Sequence, residues 1–399
     1  MNTLIIVTAL LIGGYLVFSP RLAKSSAWQA TSTPLASIMG SGFLVSAPLL
    51  AGIVGNLAVF CMAILLVLAY MVGGVIRFNI LHFEPIESHG RSAVQDVAFL
   101  SRIVLVGAYF ISVSYYLQLL AVFLLSSIGI QSSIGSHLIC SALILTIGCT
   151  GMWRGLKELG KVEKYAVGLN LGMIGALLVS LAVYNIGLVS KQEWTLADVS
   201  SSIDLNDLRV LLGLLIVVQG FETSRYLGDL YSAQQRVATM RSAQIISTAI
   251  YLVFIALATV LFRNDFGADV AAIIKMAAPV AVILPVLLTT AAIGSQFSAA
   301  VADSEGAGGL IEDVTGKRLP IRYAYLLIMI VTLTVTWETD VNVIIAYASR
   351  AFALYYFLQC CVAFLTDRTL NNSSPGRQLR FASVGAVCFA VFVFGLPSG

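Results

Sequence analysis

Two ionisable side chains sit in or at the edge of long apolar stretches of this chain. Glu222 ends the run Val210 to Phe221, and Arg350 lies ten residues into the run Val341 to Thr366. A charge at membrane depth is costly, so it marks either a solute or ion pathway or a tightly paired structural site. Glu222, followed by Arg225, Asp229 and Arg236, is either a proton-titratable or solute-contacting group, or a solvated helix end paired with Arg225 or Arg77. Arg350 has Tyr347, Ala348, Ser349, Ala351 and Phe352 around it in sequence and cannot easily reach an interface. Its planar fork suits a carboxylate or phosphate. It either clamps an anionic solute or pairs with Glu222 across a bundle.

Helix-breaking signals stand beside these charges. Met39-Gly40-Ser41-Gly42-Phe43 with Pro48 beyond is one, and Gln219-Gly220-Phe221-Glu222-Thr223-Ser224 is the other. Unwound backbone is tolerated at membrane depth only where it lines a cavity, and there its N–H and C=O groups can hold a carboxylate or a cation. Gly-Ser-Gly also serves close helix packing. The run from Phe99 to Leu125 carries Tyr109, Ser112, Ser114, Tyr115, Tyr116 and Gln118, rings with polar tips that suit a small-solute wall or aromatic packing. Thr289, Thr290, Ser295, Gln296 and Ser298 supply oxygens of the kind a hard monovalent cation uses, although Ser and Thr also bond their own helix.

These residues need a membrane bundle to position them. Of 399 residues 59% are hydrophobic and 11% charged, with a mean hydropathy of +0.93; a soluble domain carries about 25% charged residues. Apolar runs predict an all-α polytopic membrane protein with about twelve spans, near 3–19, 34–54, 57–78, 99–127, 134–153, 165–187, 208–226, 243–262, 272–300, 323–337, 341–366 and 380–396. The first reads as a retained helix, since no basic segment precedes it and Ser-Pro-Arg follows. Eighteen of the 23 Lys and Arg residues fall on one side when the N-terminus is placed outside, which predicts that both termini face outward. Setting 3–19 aside as an extra helix and 380–396 as a C-terminal one leaves five spans in 34–187 and five in 208–366. An odd number per set forces opposite orientations, the arithmetic of an inverted repeat.

Other chemistry finds little footing. The six cysteines lie in apolar runs without a CxxC pair, as small buried thiols do. HExxH and GxSxG are absent, and His82, His89 and His137 are scattered at predicted connections, so an enzyme is not expected, nor a nucleic-acid partner.

The extra first helix, the 5+5 arrangement and the paired breaks resemble the amino acid–polyamine–organocation superfamily with its LeuT-type fold. Ser41-Gly42-Phe43-Leu44 through Pro48, and Thr289 to Gln296 continuing to Gly309-Leu310-Ile311-Glu312-Asp313, are similar to the first and eighth core helices of the sodium:solute symporter family. Gly220-Phe221-Glu222-Thr223 is more like an amino-acid permease. The resemblance implies a sodium ion between those two helices, held by carbonyls near Ser37 and Gly40 and by a hydroxyl pair. Here Ala291 and Ala292 fall where that pair belongs, with Thr289 and Thr290 displaced by about two residues, and Met39 stands where an acidic residue is common.

The expectation is therefore a secondary active transporter in the cell (inner) membrane, carrying a small polar or anionic solute such as an amino acid or carboxylate by alternating access. Solute contacts would come from Ser41, Gly42, Phe43, Tyr109, Gly220, Phe221, Glu222 and Arg350. Ser37, Gly40, Thr289, Thr290 and Ser295 would hold a coupling cation. The coupling ion is sodium or a proton, no further cofactor is expected, and the partners are the solute and the lipid bilayer. The alternative is a transporter-like sensor or regulatory subunit that binds solute without moving it, with its output through a partner chain.

Overall fold

A computed structural model describes residues 1–87, 92–199, 202–264 and 269–397, without the side chains of Ala23, Ser41 and 157–164. The predicted connections at His89 and Arg91 lie outside the described residues, as does the Ser41 side chain. Every regular element among the described residues is helical. In chain order these are α1 (Asn2–Phe18), α2 (Pro20–Lys24), α3 (Ser26–Ser41), α4 (Phe43–Val54), α5 (Ala58–His82), α6 (Ala93–Ser127), α7 (Ser133–Arg154) and α8 (Lys157–Ser190). They continue as α9 (Leu205–Leu212), α10 (Ala233–Ala258), α11 (Ala272–Ala277), α12 (Leu284–Val314), α13 (Ile321–Glu338), α14 (Val341–Thr369) and α15 (Pro375–Phe394).

Among the described residues, ten stretches are long and apolar enough to cross a membrane. The apparent shortfall from twelve has a simple origin. Ser26–Ile86 is one stretch of 61 residues that contains two crossings, α3 with α4 and then α5. The crossing expected at 208–226 is broken into α9 and two short 3-10 turns, Leu215–Val218 and Phe221–Leu227. One boundary moves substantially. The span placed at 272–300 divides into the short α11 and the 31-residue α12, which runs on to Val314. Small residues such as Ala300, Ala307 and Gly308 are buried along that extension, so packing sustains the helix where hydropathy fades.

The packing is preserved when the two sets of five are exchanged. α5 lies against α10, α6 against α12, α7 against α13, and the α6–α14 contact is matched by α12–α8. The extra α1 lies along α8 through small residues: a Cβ on Gly172 would come within 2.8 Å of the backbone of Ala9 and Gly13. Close backbone approach of this kind is how helices associate in lipid. At the other end of the chain, α15 packs on α14.

Candidate functional site

The two breaks touch each other. A Cβ on Gly42 would lie 2.6 Å from the Cα of Val217, and one on Gly220 would lie 2.7 Å from the nitrogen of Ile38. Only glycine permits either approach, and Gly220 also holds φ +119°, a left-handed conformation that glycine adopts without penalty. The contact is reciprocal, each break resting on the segment before the other.

Neighbouring helices satisfy the backbone that the breaks set free. From α10, the Tyr251 hydroxyl reaches both Ile38 O (3.1 Å) and Val217 O (2.5 Å). From α12, Gln296 Nε2 donates to Gly40 O at 2.8 Å. From α14, Ser349 Oγ accepts from Ile216 N at 2.9 Å. Glu222 joins this set: its Oε2 accepts from Gly220 N at 3.0 Å and from the Tyr356 hydroxyl at 2.8 Å. Glu222 is 1% exposed, and both these donors are neutral. Neither sequence expectation for its pairing holds. Arg225 bonds Gln359 and lies 3.5 Å from Glu87 and 3.8 Å from Glu84, while Arg77 donates to Gln244 and Tyr70 O.

Beside the breaks is a cavity of about 780 Å³, walled by α3, α6, α8, α12 and the segment 223–230. Tyr109 (4% exposed), Asn170 (5%) and Asp303 (9%) lie deep in it, and Leu230 (72%) marks its mouth. Thr33 near the start of α3, Val167 near the start of α8 and Gly309 near the end of α12 place that mouth at the end of the bundle where Lys and Arg concentrate. At the opposite end, Ala271, Ala272, Ile273 and Met276 are all at most 2% exposed, and α11 packs on α4 and α12. The chain is open on one side and sealed on the other.

Ser37, Tyr109 and Ser295 line the cavity, and the Ser295 hydroxyl would sit 3.0 Å from a Cβ on Gly40. Ser37 and Ser295 thus share the cavity wall, and Ser295 lies against Gly40. Thr290 is not among them: it is exposed, and its hydroxyl donates to Val286 O at 2.8 Å. Thr289 is buried with an unpartnered hydroxyl but does not line the cavity. Phe43 packs on Tyr251 and Phe254, at 5.3 and 4.4 Å between ring centroids. Phe221 stacks on Tyr356 at 5.4 Å. Both rings belong to the packing that holds the breaks.

Arg350 is the clearest correction. Its Nε donates to Phe392 O at 2.7 Å, and its guanidinium lies 6.0 Å from the Phe392 ring. It therefore satisfies a carbonyl in the last turn of α15, where the helix dipole favours a cation, and its partner is α15 rather than Glu222. The position opposite Glu222 on α14 is Tyr356.

Two buried polar residues of the cavity, Asp303 and Asn170, escaped the sequence reading. Asp303 accepts a hydrogen bond from Ser112 across the α6–α12 contact. Asn170, in the apolar run of α8, is 5% exposed and borders the cavity. Asp303 follows Gln296 and Ala300 at helical spacing on the buried face; continuing that periodicity past Ala300 would have found it.

The family model of an APC superfamily transporter matches residues 20–395. An uncharacterized protein of Aquifex aeolicus (strain VF5) is 42% identical over 362 residues, covering 88% of each chain. The crystal structure of a mutant of the Eremococcus coleocola manganese transporter is similar with a TM-score of 0.60, over 92% of this chain and 87% of that one. At 13% identity this likeness shows the shared fold. The paired breaks, the exchangeable sets of five helices and the family match over nearly the whole chain agree: the chain belongs to the APC superfamily of transporters.

Proposed function

We propose that the chain is a secondary active transporter that moves a small solute by alternating access, with the proton as its coupling ion. The observation that carries this reading is Glu222, buried in the second break and held by Gly220 N–H and the Tyr356 hydroxyl. A carboxylate with no cationic partner among the described residues is costly at this depth, and a carboxyl group can exchange its charge for a proton. Protonation weakens both accepted hydrogen bonds, and these tie the unwound segment to α14. Gain or loss of one proton thereby biases the element that must move.

Two features favour the proton over sodium. The Gly40 carbonyl, which the family resemblance would give to sodium, already accepts from Gln296. Thr290 is turned outward. With Lys and Arg concentrated at the open end, the mouth faces the interior of the cell in its inner membrane. Manganese is not carried over from the similar fold, because no group of three or more His, Cys, Asp or Glu side chains that could hold a metal ion occurs among the described residues.

The test is uptake of a panel of amino acids, amines and carboxylates into proteoliposomes under an imposed pH gradient or an imposed sodium gradient. We expect accumulation driven by the pH gradient without sodium. Glu222→Gln should abolish that accumulation while preserving exchange of external for internal solute. Accumulation that requires sodium and ignores pH would overturn the proton assignment.

A further inference from the structure

We infer that Arg77, Arg241 and Arg380 bind the phosphate of an anionic phospholipid from the leaflet at the Lys/Arg-rich end of the bundle. This site lies apart from the cavity, and its assignment goes beyond the transport reading without depending on it. The first ground is a buried cation without a counter-charge. Arg77 of α5 is 6% exposed, and its guanidinium donates to Gln244 and to Tyr70 O, both neutral. Arg380 of α15 reaches the same spot: a Cβ on Gly74 would lie 2.5 Å from Arg380 Nη2 and 3.6 Å from Arg77 Nη2. The charge of Arg241, on α10, acts on Arg77 as well. The ion pairs among the described residues use Arg102, Arg225, Arg236, Lys275 and Arg377, and none of these three arginines. A buried guanidinium crowded by like charges is costly, and an anion drawn among them offsets that cost. The planar fork of arginine matches the oxygens of a phosphate.

The second ground is position. α5 packs on both α10 and α15, and each arginine stands within about two turns of its helix end on that side. Arg241 and Arg380 are exposed, and none of the three borders the central cavity. The third ground is the surface that leads to them. Phe60, Ile64, Val67 and Tyr70 follow one another at helical spacing along α5 and are all exposed. That apolar stripe ends with the Tyr70 ring 4.8 Å from the Arg77 guanidinium. Acyl chains lying along the stripe deliver a headgroup to the arginines, whereas a free phosphate gains nothing from it. Basic pockets between membrane helices take anionic headgroups in this way, and three cations favour a net negative headgroup over a zwitterionic one.

The experiment titrates the delipidated, detergent-purified full chain with dioleoyl phosphatidylglycerol, dioleoyl phosphatidylcholine or inorganic phosphate. A ligand of the folded state raises the melting temperature with concentration. We expect phosphatidylglycerol to stabilise at concentrations where phosphatidylcholine and inorganic phosphate do not. Arg241→Gln combined with Arg380→Gln changes two exposed side chains and should weaken phosphatidylglycerol at least tenfold. Arg318→Gln combined with Arg322→Gln removes the same charge from exposed positions elsewhere and should leave its affinity within twofold. Equal stabilisation by phosphatidylcholine overturns the charge assignment, and equal stabilisation by inorganic phosphate overturns the lipid source. Both are read on the unmodified protein and stand even if a variant fails to fold. No shift with phosphatidylglycerol overturns the inference, as does an affinity undiminished in the first double variant or equally diminished in the second.

Discussion

Gly220 concentrates several demands in one position. It combines φ +119°, an approach of 2.5 Å between its would-be Cβ and Ser37 Oγ, and an N–H that donates to Glu222. A side chain there costs about 1–2 kcal/mol for the left-handed backbone alone. The contact with the Ile38 backbone adds to this, because backbone cannot rotate aside as a side-chain tip can. Gly220→Ala should therefore lower the melting temperature by several degrees. Gly107→Ala is the control, since nothing lies within 4 Å of its would-be Cβ; it should stay within about 0.5 kcal/mol of the parent protein. Equal melting of the two variants would show that the breaks do not need their close contact.

The same residues show what the sequence could disclose. Gly-Ser-Gly and Gln-Gly-Phe-Glu revealed that two helices break, because glycine weakens a helix whatever surrounds it. The groups that satisfy the broken backbone were out of reach. Tyr251, Gln296 and Ser349 come from three other helices, and their role depends on tertiary geometry alone. Arg350 illustrates the opposite error. Its charge was legible, but the partner is the carbonyl of Phe392, and no side-chain inventory contains a backbone group.

At the scale of elements, the closing helix α15 is fastened at its end by several contacts. Arg350 reaches Phe392 O, Arg209 Nε donates to Phe394 O at 3.3 Å, and Leu396 N returns a bond to Arg209 O at 2.9 Å. This ties α15 to α14 and to α9, the first half of the broken crossing. Arg350→Met retains the length of the side chain and removes the donor, leaving a helix-end carbonyl unsatisfied in an apolar setting. The cost should be about 1–3 kcal/mol, read as a lower melting temperature. Solute affinity should remain within twofold, because Arg350 does not border the cavity. A large loss of affinity with unchanged stability would restore Arg350 to the solute site. Hydropathy located most of these elements, since length and apolarity suffice for an unbroken crossing. It misplaced the end of α12, where small residues replace large apolar ones and Asp303 and Ser304 are buried among them.

For the whole molecule, the proposed alternating access makes the asymmetry between the two ends one state of its cycle. The end with α3, the 223–230 segment and the close of α12 is open. The end under α11 is sealed by residues no more than 2% exposed. Symmetry between the two sets of helices implies a second arrangement in which the open and sealed ends exchange, with the two states separated by a few kcal/mol. Single cysteines can read this directly once the six native cysteines are replaced. Ser298→Cys faces the cavity and Ala272→Cys is sealed beneath the far end. A membrane-impermeant maleimide should label Ser298→Cys only from the Lys/Arg-rich side and should leave Ala272→Cys unreacted from either side. A pH gradient and a transported solute, which drive the cycle, should slow the first reaction and open the second. The Glu222→Gln variant should respond to solute but no longer to pH, because the proposed proton site is removed. Labelling of Ser298→Cys at equal rates from both sides would describe a continuous pore and would rule out alternating access.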